Sequence, residues 1–170
     1  MTLAEFQQLF LDIQTALTNL VSANVDTGVV KVIGRDVFDE DEAEWMGRLV
    51  GPTGLVRCWS IYSTGCAGLE DERNPVSTET FVPTYNLIGY HYYDFGTTAS
   101  NSAKSFQNEL NKLRWAFMQD QSLGLPSYVE SHTGFINRLV LGRIDSKPVH
   151  IARVELGVRL HPIAYEYDGS

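Results

Sequence analysis

Four histidines, two cysteines and a run of acidic side chains are the residues of this chain best equipped for chemistry. His91, His132, His150 and His161 include no pair at i, i+3 or i+4, and no HExxH occurs. His91 and His150 fall in segments that read as strands and could meet in space. A metal site would need a third ligand, which the sequence does not indicate. Histidines in such strands are more often structural. Cys58 and Cys66 are not spaced as a CxxC redox or zinc pattern. Cys58 lies in an apolar strand, where a buried reduced thiol is expected. A disulfide to Cys66 is geometrically open but not implied. Cys66 is the more nucleophile-like of the two, yet Glu70 and Asp71 nearby would raise its pKa rather than lower it.

Asp36, Asp39, Glu40, Asp41, Glu42 and Glu44 are dense enough to suggest calcium. They lack the D-x-D-x-D-G loop and its closing glutamate. Two readings stand: a solvated helix start, since acidic side chains favour helix N-termini, or a charged contact with a neighbouring subunit. Gly47, Gly51 and Gly54 are followed by no Lys-Ser or Lys-Thr, which excludes a P-loop. Ser60 and Ser63 have no G-x-S-x-G elbow. Trp45, Trp59 and Trp115, with eight tyrosines, could stack on nucleic-acid bases. Such platforms come with basic grooves. Here the net charge is −8, the 13 basic residues are scattered, and the aromatic segment Tyr85 to Tyr93 holds no Lys or Arg. Core and interface packing is the expected use of these rings. No motif implies a cofactor. The candidate partner-contact residues are Asp39, Glu40, Asp41, Glu42, Trp45, Glu70, Asp71 and Arg73.

The elements that must position these residues are readable from periodicity. Thr2 and Glu5 form a T-x-x-E capping box. Leu3, Phe6, Phe10, Ile13, Leu17 and Leu20 then recur at spacings of three and four, with Leu9 and Ala16 widening the stripe. Residues 29–33 read as a short strand, and Trp45 to Val50 as a short helix ended by Gly51, Pro52 and Gly54. Leu55 to Tyr62 is a strand, with Arg57 interrupting the apolar face of Leu55, Trp59 and Ile61, and 63–79 a long loop. Phe81 to Tyr93 is a strand apolar on both faces. A second long helix follows over Ser100 to Asp120, with Ala103, Phe106, Leu110, Leu113 and Phe117 inward. Phe135 to Ile144 and Val149 to Leu160 close the chain as two strands about an Asp145–Pro148 turn. In the last strand His150, Ala152, Val154, Leu156, Val158 and Leu160 share one face.

The expected fold is α+β: a mostly antiparallel four- to five-stranded sheet packed by two long helices and one short helix. A 44% hydrophobic, 20% charged composition over 170 residues fits one domain, 1–170, with long loops near 34–44 and 63–79. The longest apolar runs are only a few residues, too short for a transmembrane helix. The start MTLAEFQQLF lacks the basic region of a signal peptide.

The start MTLAEF, the strand LVRCWSIYSTG, the strand and helix YNLIGYHYYDFGTTASNSAKSFQNELNKLRWAFMQDQSLG, and the closing RLVLGRIDSKPVHIARVELGVRLHP resemble the tail terminator proteins of long-tailed bacteriophages. The resemblance covers most of the chain as a pattern of elements with loose local matches. The acidic stretch around Asp39 and the segment from Ser63 to Glu79 have no counterpart in it. It implies a non-enzymatic virion protein that forms a ring, usually of six subunits, on the head-proximal end of the tail tube. Its partners would be further copies of itself, the tail tube protein, a neck or connector protein and, in contractile tails, the sheath. DNA would pass through the lumen without specific binding, and an acidic lumen would suit that passage. Three alternatives stand beside it: another neck component, such as a head-completion or connector-adaptor protein; a small soluble enzyme with an unrecognised site; and a monomeric binding module.

Overall fold

The computed structural model describes residues 3–35, 47–69, 78–93, 99–125, 127, 129–132, 138–144, 146–161 and 163–164. The α+β class is as expected. Helix α1 spans Leu3–Asn24. Its inner row is Leu9, Ile13, Leu17 and Val21, all essentially buried at a strict spacing of four. Phe6, Phe10, Ala16 and Leu20 are half-buried along its flanks. Thr2, the proposed cap, lies outside the described residues. Helix α2 spans Ala99–Gln119 and buries Phe106, Leu110, Leu113 and Phe117. It ends at Gln119, and in the turn over 121–124 that follows, Leu123 and Gly124 are left-handed, at φ 54° and 69°. The Asp120 carboxylate there accepts a hydrogen bond from the Gly124 amide at 3.2 Å.

The strands are β1 (Lys31–Ile33), β2 (Arg57–Leu69), β3 (Thr78–Tyr92), β4 (Val129–His132), β5 (Arg138–Ile144), β6 (Lys147–Leu160) and β7 (Ile163–Ala164). They form one sheet with the path β1-β2-β3-β6-β4, to which β5 adds on β6 and β7 on β3. Strand β6 pairs β3 through residues 149–157. On its other side it pairs β5 through 147–153 and β4 through 158–160. Strands β4 and β5 therefore lie end to end along the same edge of β6.

Both long helices cover one face of this sheet. The main core joins them to Trp59, Ile61, Tyr85, Leu87, Ala152, Val154 and Leu156. A smaller cluster on the other face gathers Leu49, Cys58, Ile88, Tyr90, Ile144 and Val149. The central strand is covered on both sides, as its two-faced apolar pattern predicts. The alternation of β6 also holds: His150 through Leu160 are buried at every second position, while Arg153, Glu155 and Arg159 are exposed. Helix and sheet approach closely at Gly89. A Cβ there would lie 2.7 Å from the Trp59 ring and 2.9 Å from Phe106.

The structure departs from the sequence expectation in five places. The sheet is mixed, because β1 runs parallel to β2. Among the described residues it has seven strands rather than four to five, β4 and β7 being unforeseen. Of the expected loop over 63–79, residues 63–69 and 78–79 are strand, since β2 continues to Leu69 and β3 begins at Thr78, while 70–77 lie outside the described residues. A bulge between Ser63 and Gly65 carries the pairing past the small residues that look like a turn. The two long helices stand as expected. Of the short helix only 47–49 are helical among the described residues, and Val50 already bridges to Val56. Finally, Cys58 and Cys66 lie eight residues apart in one strand. That is on the order of 25 Å, far beyond disulfide reach.

Candidate functional site

Strand β2 and helix α2 bring together the first cluster with polar chemistry. Arg57 interrupts an apolar strand face, so its guanidinium needs a partner near the core. Glu109, on α2, supplies it at 3.4 Å. The same carboxylate accepts a hydrogen bond from Trp59 Nε1 at 2.7 Å. Burial raises the Glu109 pKa, and the Trp59 hydrogen bond, Arg57 and Lys112 pull it back. The cluster floors a groove of about 840 Å³ between the end of α1 and α2, walled by Asn24, Asp26, Lys112 and Trp115. Trp115 stands 63% exposed on its rim. Sequence reasoning registered Arg57 as an interruption but did not find Glu109. The signal was the interruption itself, since a buried cation requires an acceptor.

Strands β3 and β6 place His91 directly opposite His150. The rings lie 6.3 Å apart between centroids, with Phe106 over both. The His91 Nδ1–H donates to the Tyr92 carbonyl oxygen at 2.9 Å. His150 Nε2 shares a hydrogen bond with the Ser102 hydroxyl at 3.2 Å. Burial lowers both pKa values, that of His91 to about 4, with Arg57 and His150 adding repulsion there. Among the described residues no group of three His, Cys, Asp or Glu side chains could hold a metal. The pair meets, as the strand assignment allowed, but it is built as neutral rings in a core. His132 Nε2–H donates to the Phe117 carbonyl oxygen at 2.8 Å, tying β4 to the end of α2. The Cys58 thiol is buried and pushed up to about 12, chiefly by desolvation, which removes it as a nucleophile.

The third feature is an edge rather than a pocket. Among the described residues β5 is paired on one side alone, by β6. Val140 is 41% and Leu141 62% exposed. Adjacent strand residues point to opposite faces, so apolar side chains stand in solvent on both faces of this edge. Arg143, Lys147 and Arg153 are exposed beside them. The eight residues proposed for partner contact (Asp39, Glu40, Asp41, Glu42, Trp45, Glu70, Asp71 and Arg73) all lie outside the described residues. The edge was missed because, read in sequence, Phe135 to Ile144 looks like an ordinary hairpin strand, and exposure on both faces depends on what lies beside it.

No helix of the described residues is long and apolar enough to cross a membrane. No family model and no curated protein matches the sequence.

Proposed function

We propose that this chain is a structural protein of a bacteriophage virion, a tail terminator. Copies of it close as a ring on the head-proximal end of the tail tube, end tube growth, and present a surface to the neck or head connector. DNA passes through the lumen without specific binding. The protein works by geometry, with no catalytic residues and no cofactor. Its partners are further copies of itself, most simply six, the tail tube protein, the connector and, in a contractile tail, the sheath.

One observation supports this reading beyond the resemblance in sequence pattern. The sheet ends in an edge strand, β5, with Val140 and Leu141 exposed and one row of backbone groups unpaired among the described residues. Proteins that stay monomeric blunt such edges, and here Arg138 and Arg143 stand toward the two ends of the strand and leave Val140 and Leu141 bare between them. A ring subunit needs a surface of this kind, because its contacts are heterologous and must propagate from copy to copy.

The test is native mass measurement with negative-stain imaging, for the chain alone and mixed with purified tail tubes. Rings, or caps seated at one end of the tube, are the expected result. A strict monomer at every concentration that leaves tube ends bare would sink the proposal. Binding to the portal side in place of the tube would shift it to a connector-adaptor role.

A further inference from the structure

The charges of this chain are segregated along the sheet. Residues 138–160, which hold β5 and β6, carry Arg138, Arg143, Lys147, Arg153 and Arg159 against Asp145 and Glu155. This is a basic edge in a protein of net charge −8. Arg159 is paired with Glu130 at 3.7 Å. Arg138 and Arg153 are direct cross-strand partners, an arrangement of like charges that destabilises a sheet unless an anion lies near. At the opposite end of the strand order is β1. The chain that follows β1 holds six acidic and no basic residues over 36–44.

We infer that the basic β5 edge is the docking site for a second copy of this chain, and that the acidic segment 36–44 of that copy is what it receives. The inference rests on the ring reading above and names the contact that makes the ring. Two copies meeting β5 to β5 would set Arg138 and Arg143 of one against those of the other, which like-charge repulsion disfavours. An acidic segment answers the excess positive charge of Arg143, Lys147 and Arg153 and covers Val140 and Leu141. Because the docking edge and the docked segment are different parts of one chain, the contact is heterologous, and each copy keeps one free β5 edge or one free segment for the next.

Two variants test this by sedimentation. In the first, Leu141→Lys with Arg143→Glu spoils the edge. In the second, Asp39→Asn, Glu40→Gln, Asp41→Asn and Glu42→Gln neutralise the segment. Each alone is expected to lose self-association at least tenfold while keeping a native circular dichroism spectrum. Mixed one to one, they are expected to form a heterodimer and stop there, since a single intact interface survives. A segment variant that self-associates like the parent would overturn the inference, as would a mixture that stays monomeric. Should the edge variant misfold, Arg143→Ala takes its place, and unchanged association there would equally overturn it. A chain that caps tail tubes but uses another contact defeats this inference and spares the tail reading. A chain that associates through this contact yet ignores tail tubes does the reverse.

Discussion

On the helix-covered face of the sheet, Trp59, Phe106 and Gly89 meet so closely that one added methyl group has no space. At the β5 edge, a few strands away, Val140 and Leu141 have open solvent where neighbours would be. The first region is complete within one chain. Most of its buried polar groups find a local partner: Trp59 bonds Glu109, His91 Nδ1 the Tyr92 carbonyl, and His132 the end of α2, while His91 Nε2 and Arg57 Nε are buried with no hydrogen-bond partner among the described residues. The second region carries apolar surface and positive charge with nothing opposite them among the described residues. A single sheet thus holds one closely packed surface and one that the proposal gives to a neighbour. Substitutions in the first should change stability, and those in the second association.

The largest stability effect belongs to Phe106. It is 1% exposed and packs against Trp59, His91 and His150. Phe106→Ala is expected to cost about 4 kcal/mol in denaturant unfolding, the sum of lost transfer energy and a cavity. A loss under about 1 kcal/mol would mean that this face is loosely packed and that the contrast with the edge is false.

The histidine pair gives the same face a pH signature. The folded pKa of His91 is depressed to about 4 from the ordinary 6.5. The unfolded chain therefore takes the proton first as pH falls. The associated stability is fully present above about pH 6.5 and disappears as pH falls through about 4, a loss of about 3 kcal/mol. His150 is shifted in the same direction. Unfolding free energy measured from pH 7 to 4 should fall more steeply for the parent than for His91→Gln. Parallel curves would show that His91 is not buried as a neutral ring.

Much of the helix-covered face was legible from sequence because period-two and period-four patterns announce burial. The alternation from His150 to Leu160 and the row Phe106, Leu110, Leu113, Phe117 needed no tertiary information. What escaped was structure imposed by partners. The run Ser63 to Gly68 has no alternation of its own and becomes strand because Phe81 to Tyr85 pair with it. Strand β1 is three residues long, too short to declare its direction. Glu109 sits 52 positions from Arg57, so only the fold joins them. The β5 edge escaped for a related reason: exposure on both faces of a strand depends on what lies beside it, which local pattern does not encode.

Glu109 offers a finer test of how complete the monomer is. Glu109→Ala removes the acceptor of both Arg57 and Trp59 Nε1, and is expected to cost about 2 kcal/mol at neutral pH, because it leaves a largely buried cation unpaired. Glu109→Gln keeps an oxygen for Trp59 and should cost less. Chemical denaturation of the two variants together with Trp59→Phe separates the indole bond from the ion pair. Equal losses for Ala and Gln would mean that charge alone holds the cluster.

The smallest stability effect is expected where the proposed functional effect is largest. Leu141 is 62% exposed on a strand that carries no other strand beyond it among the described residues. Leu141→Lys therefore removes little burial within the chain and should change unfolding free energy by less than about 0.5 kcal/mol, the range of ordinary surface sites. It also places a charge on a sheet edge, the device by which natural proteins prevent edge pairing. If β5 is an interface, sedimentation at rising concentration should show the variant staying monomeric where the parent associates, with superimposable melting curves for the dilute proteins. A variant that melts well below the parent at concentrations where both are monomeric would place Leu141 in the packing of the single chain. The edge would then belong with the helix-covered face, and the division between the two regions would fail.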